Sequence, residues 1–113
     1  MKFVKDKISL NELKKIAKAM FGDLVKAVVD INRGIMVVGG ELHADEEALL
    51  LKQGSAQKDL WGINIYPNMP ENKMVEFDSM INLKPSQGNL SRGVDKSQIR
   101  EKILRLIRKL IKK

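Results

Sequence analysis

The chain has 113 residues: 43% hydrophobic, 31% charged and 4% aromatic, with 21 Lys and Arg against 14 Asp and Glu. That length fits one small domain, 1–113, and leaves no room for a second core. The lack of cysteine excludes a disulfide framework and a thiolate zinc site, and no stretch approaches the ~18 consecutive apolar residues of a membrane span.

Residues 2–4 read as a short strand or an extended lead-in. Ser9-Leu10-Asn11-Glu12 has the form of a capping box, a Ser hydroxyl for the Glu12 N–H with the Glu reaching back. Leu10, Leu13, Ile16, Ala17 and Met20 then recur at helical spacing and Gly22 supplies a stop, which predicts a helix over 10–21. Residues 24–31 are rich in β-branched side chains, with Val25, Ala27, Val29 and Ile31 on one face. Asn32-Arg33-Gly34 turns the chain into a return strand over 35–38.

Asp45-Glu46-Glu47 opens a second predicted helix, three acids complementing its dipole, and Gly54 stops it. Residues 60–66 alternate as a strand with Trp61, Ile63 and Ile65 on one face, and a partner strand is predicted over 74–83. Residues 84–93 are a loop by composition. Asp95 is the expected cap of a last helix over 96–112. The order α-β-β-α-β-β-α predicts an α+β fold: a four-stranded antiparallel sheet from two hairpins, with three helices on one face in two layers.

Charge is unevenly placed. Residues 1–95 carry 13 basic and 13 acidic side chains, so the net +7 resides in the last 18 residues. Arg105, Arg108, Lys109 and Lys112 on that last helix suit a phosphate backbone, or else they are a solvated helix back offsetting the dipole. The helix has no Trp or Phe to seat in a membrane interface. Met1 to Ala19 interleaves charges with apolar residues, so no secretory leader is expected and a cytoplasmic location is the default.

Three further places carry candidate chemistry. In an extended run, Glu41, His43 and Asp45 share one face, a carboxylate–imidazole–carboxylate set able to hold a metal or move a proton. His43 is the sole histidine. The plain alternative makes Asp45 a helix cap and His43 a surface residue. In the loop, Gly88 and Gly93 permit backbone N–H groups to face an anion, with Ser86, Asn89 and Ser91 as donors and Arg92 as a planar cation. Its spacing is not that of a P-loop, and its polar residues equally suit its own backbone. Finally, Asn64, Tyr66, Glu76, Asp78 and Asn82 fall on the polar face of their strands, which reads as a cleft or as a solvated sheet face.

Gly-Gly-Glu-Leu-His-Ala-Asp (39–45), Lys-Asp-Leu-Trp-Gly-Ile-Asn (58–64), Phe-Asp-Ser-Met-Ile-Asn (77–82) and Pro-Ser-Gln-Gly-Asn-Leu-Ser-Arg-Gly-Val (85–94) together resemble a family of small prokaryotic proteins known as a domain of unknown function. The resemblance covers nearly the whole chain. It implies a single cytoplasmic domain and carries no activity, cofactor or catalytic residue with it.

Three functions are open on the sequence. The first is an anion- or nucleic-acid-binding module using the 86–93 loop and the basic helix, its partner a nucleic acid or phosphate-bearing ligand. The second is a small metal- or acid/base-dependent hydrolase-like enzyme around Glu41, His43 and Asp78. The third is a structural homo-oligomer, because seven apolar residues between 99 and 111 exceed what one helix face needs. No cofactor is indicated by the sequence.

Overall fold

The computed structural model describes residues 1–113. Strand β1 (Lys2–Val4) and a two-residue β2 (Ile8–Ser9) lead into helix α1 (Leu10–Ala19). The predicted cap is in place: Ser9 Oγ accepts from the Glu12 N–H at 3.0 Å. Glu12 does not reach back, because its carboxylate is taken by Lys2 Nζ. Strands β3 (Val25–Asp30) and β4 (Ile35–Val38) form the first hairpin, and Gly34 takes the left-handed φ of 69° that closes it.

Helix α2 spans His43–Lys52 and β5 spans Leu60–Ile65. Its partner β6 is only Val75–Glu76. Helix α3 (Ser97–Leu110) ends in β7 (Ile111–Lys112), which pairs in parallel with β2.

The main sheet is antiparallel with five strands in the order β1-β4-β3-β5-β6, so the four-stranded expectation is corrected. The N-terminal segment is a genuine edge strand, Phe3 pairing with Val37. The second hairpin is much shorter than the predicted 74–83 strand. Beyond Glu76 the chain leaves the ladder and turns over Met80–Asn82 in a 3-10 helix. Asn82 stands in for the missing strand: its side-chain amide accepts from Gly62 N–H at 2.8 Å and donates to Gly62 C=O at 3.0 Å. A fully buried amide thereby satisfies the outer edge of β5 where backbone would otherwise have paired.

The two-layer expectation is also corrected. Leu13 and Ala17 of α1 and Ile103, Ile107 and Leu110 of α3 pack with Val25, Ala27, Val29, Met36, Val38, Trp61, Ile63 and Ile65. On the opposite face, Leu50 of α2 packs with Val28, Ile35, Val37 and Leu60. The sheet is therefore covered on both sides. The cause is compositional, since β4 is an unbroken Ile-Met-Val-Val run and all four residues are buried.

Two helix starts differ from expectation. Helix α2 begins at His43 rather than Asp45, so the first turn contains both residues. Asp95 does not cap α3. It turns back into the preceding loop, where its carboxylate accepts from Leu90 N–H at 2.8 Å and from Ser91 Oγ–H.

Candidate functional site

The α2 side of the sheet carries a pocket of about 250 Å³. Its polar walls are Lys26, His43, Asn64, Asp78, Ser79 and Arg92, and Leu42, Met80 and Ile81 complete it. Five segments converge here. Lys26 of β3 and Asn64 of β5 are cross-strand partners and share the α2 face of the sheet. His43 is the first residue of α2. Asp78 and Ser79 come from the chain leaving β6, and Arg92 from the loop.

Lys26 Nζ lies over the Phe21 ring, 5.3 Å from its centroid. Arg92 Nε donates to Asp78 Oδ1 at 2.8 Å, which leaves both Nη groups of the guanidinium free of that carboxylate. Asn64 is 6% exposed, and its Nδ2 donates to Glu76 Oε1 at 2.9 Å. Tyr66 Oη donates to the same oxygen at 3.1 Å. Because a carboxylate oxygen can only accept, the Asn64 amide must turn its N–H to Glu76, and Oδ1 is left buried without a partner.

His43 is 8% exposed, with Nε2 2.8 Å from the Ile63 carbonyl. A carbonyl accepts only, so Nε2 carries the proton and Nδ1 holds the lone pair of the neutral ring. The ring edge with Cδ2 faces the sheet at Gly62. Nδ1 is on the other edge, with no partner in the chain and some contact with solvent. Burial holds the imidazole below its ordinary pKa of 6.5; the Ile63 hydrogen bond opposes this, the charges of Lys26 and Arg92 assist it, and Asp78 opposes it. The residue before His43, Leu42, offers no side-chain cap; Asp45 and Glu46 N–H donate to the Leu42 carbonyl, and the His43 and Ala44 N–H groups have no acceptor in the chain.

The chain matches, over residues 2–110, the model of a family described as protein of unknown function (DUF5674). It belongs to that family. No curated protein and no solved structure matches the chain. The matched span takes in every residue of the pocket and all of α3.

Of the candidates for catalysis, His43 and Asp78 share the pocket, and Glu41 does not. Glu41 is exposed beside a separate hollow with Ala19, Met20, Phe21 and Leu42. The metal set Glu41, His43 and Asp45 is not assembled. Residues 41–45 are not extended, Asp45 is exposed in the first turn of α2, and no three His, Asp or Glu side chains lie together as a metal cluster.

Most of the loop is occupied with itself. Asn89 is buried, its Nδ2 donates to the carbonyls of Asn82 and Gly93 at 2.7 and 2.9 Å, and its Oδ1 accepts from Asp95 N–H at 2.8 Å. Ser91 Oγ donates to Asp95, Gly88 supplies a left-handed turn, and Ser86 is exposed. Only Arg92 of that set lines the pocket.

Arg105, Arg108 and Lys109 of α3 and Lys112 of β7 are exposed, and none makes an ion pair; the helix expected to run to 112 ends at Leu110. They lie across the sheet from Arg92, because the chain passes from the pocket side into the α1/α3 core by Val94. Loop and basic helix therefore do not act on one small ligand together. Leu104 and Ile107 of α3 and Ile111 of β7 line a cleft of about 170 Å³ with Leu10, Met74 and Val75.

Lys26 and Ser79 were not among the candidate site residues of the sequence reading. A lone Lys within Leu-Val-Lys-Ala-Val-Val was the available signal for Lys26, since it shares the period-two face of Val28.

Proposed function

We propose that this chain binds a small phosphate-bearing anion in the pocket of Lys26, His43, Asn64, Asp78 and Arg92. The observation that carries the reading is the juxtaposition in one pocket of two cations, Lys26 and Arg92, the second with its Nε on Asp78, beside the buried amide side chain of Asn64. Arg92 and Lys26 supply cations, and the uncapped start of α2 supplies amide donors and the positive dipole end. The Asp78 oxygen that Arg92 leaves free is an acceptor on the pocket wall, whereas Asn64 Oδ1 is closed off from it. That oxygen repels a fully deprotonated anion and suits one that keeps an O–H.

Phosphate near neutral pH has such an O–H and sulfate has none. Inorganic phosphate is therefore expected to raise the melting temperature in a concentration-dependent way. Sulfate is expected to bind about tenfold more weakly or worse, because it cannot donate to the Asp78 carboxylate and is repelled by it. Arg92→Gln should abolish the phosphate shift while the protein stays folded by circular dichroism. Equal shifts from both anions, or a phosphate shift that survives in Arg92→Gln, would count against this pocket as the binding site.

A second reading has its own support. The unpaired cations of α3 and β7 make the C-terminal segment an exposed basic surface suited to a nucleic-acid backbone. Reversing Arg105, Arg108, Lys109 and Lys112 to Glu is expected to eliminate binding of labelled duplex DNA at low salt. With single substitutions, every DNA phosphate that is no longer neutralised should flatten the dependence of log K on log salt by about 0.9. Anisotropy at several salt concentrations measures both, and wild-type protein that fails to bind at low salt ends this reading.

A further inference from the structure

We propose that His43 Nδ1 is a phosphoryl acceptor, so that the anion pocket is also a site of covalent phosphorylation. The inference rests on the anion reading and adds a nucleophile to it.

Three features set the nucleophile. The Ile63 carbonyl fixes the tautomer, so Nδ1 has the lone pair without any base having to remove a proton. Nε2 is held on the Ile63 carbonyl and the Cδ2 edge lies beside Gly62, so Nδ1 is the ring nitrogen left without a partner. The ring stays neutral at physiological pH, because burial disfavours the imidazolium.

The surroundings suit the transferring group. Phosphoryl transfer places charge on three equatorial oxygens, and positioning with cations is most of what a protein contributes. Arg92 provides two Nη groups, held in orientation from behind by Asp78. Lys26 stands on the sheet face of the same pocket, with its Nζ over the Phe21 ring, and the His43 and Ala44 N–H groups at the start of α2 have no acceptor in the chain. A pocket of about 250 Å³ accommodates a phosphoryl group with part of its donor.

The donor class is an acyl phosphate. The Nδ1 lone pair attacks phosphorus and an N–P bond forms. The P–O bond to the acyl group breaks, and the carboxylate departs with its electron pair. The ring keeps its Nε2 proton on the Ile63 carbonyl and becomes a phosphoimidazolium, its positive charge set against the phosphoryl oxygens.

The experiment uses the full chain labelled with ¹⁵N in its one imidazole. It is incubated with acetyl phosphate beside N-acetylhistidine amide. Intact mass should show the gain of one phosphoryl group, and ¹⁵N and ³¹P spectra should place the N–P bond at Nδ1. The rate should exceed that of the free histidine derivative by about tenfold or more, and Arg92→Gln should remove most of that excess.

An Nε2 adduct, a rate no faster than the derivative, or phosphorylation that persists in His43→Gln overturns the proposal. Reading the adduct position in the wild-type chain keeps the test valid even if His43→Gln does not fold. Phosphate binding without any His43 adduct overturns the phosphoryl acceptor and leaves the anion pocket standing. Absence of both overturns both.

Discussion

Gly62→Ala is expected to destabilise the protein by about 3 kcal/mol and to disorder the pocket with it. Gly62 lies mid-strand in β5, opposite Val28, where an ordinary residue would fit the backbone. What excludes a side chain is the packing above it. A Cβ there would lie 2.5 Å from Ser79 Oγ, 2.6 Å from Ser79 Cβ and 3.2 Å from His43 Cδ2.

Ser79 has little freedom to withdraw. It is 1% exposed, its N–H donates to the Arg92 carbonyl at 2.9 Å, and its Oγ accepts from Ile81 N–H. A methyl group at 62 therefore pushes the 77–82 segment off the sheet, and with it Asp78, the partner of Arg92. The strand edge would loosen too, since Asn82 meets Gly62 through both backbone groups. Urea midpoints should fall in Gly62→Ala and recover in large part in Gly62→Ala/Ser79→Gly, which removes the obstructing side chain. A single variant within ~0.5 kcal/mol of wild type would mean that this contact does not set the position of the segment.

That dependence on one glycine explains much of what the sequence hid. The first hairpin was legible because β-branched residues flank Asn-Arg-Gly and nothing distant competes. Ser9 was legible as a cap for the same local reason. The failure over 77–83 has a physical cause: period-two alternation continues, but Asn82 replaces backbone pairing with a side-chain amide, and alternation cannot report that. The unbroken Ile-Met-Val-Val run did signal a sheet covered on both faces, against the reading of helices on one side.

At the site, the chemistry of His43, Asp78 and Arg92 was legible singly, while their meeting depends on contacts between residues far apart in the chain. Glu41 was attached to them by sequence proximity, and the start of α2 at His43 removes it. The same start turns Glu46 inward. His43, Glu46 and Leu50 are the buried residues of α2 and share its inner face at helical spacing, so an acid read as a dipole partner becomes a core residue.

Glu46 should give the molecule a steep, removable dependence of stability on pH. Its side chain is fully buried, Oε2 accepts from Gly40 N–H at 2.9 Å and Oε1 has no partner. Burial raises its pKa from 4.5 to about 9; the Gly40 hydrogen bond, Lys26 and the N-terminal amine pull it down, and Asp45 pushes it up. Below pH 4.5 the carboxyl is protonated in both the folded and the unfolded chain, and folding meets no penalty from it. Between 4.5 and about 9 the unfolded chain releases the proton and the folded chain keeps it. Stability then falls by up to about 1.4 kcal/mol per pH unit, and the loss levels off above the folded value. His43, with its lowered pKa, acts in the opposite sense as pH falls below 6.5, so the two effects must be separated. Glu46→Gln does so, because it keeps the shape and removes the titration. Against wild type, the variant should be close to equal at pH 5 and more stable by about 2–4 kcal/mol at pH 8, a large share of the total for a domain of this size. Urea unfolding at unit steps from pH 5 to 8 reads the difference directly. Parallel curves for the two proteins would show that Glu46 ionises in the folded chain near its ordinary value, and that the space beneath Gly40 admits water.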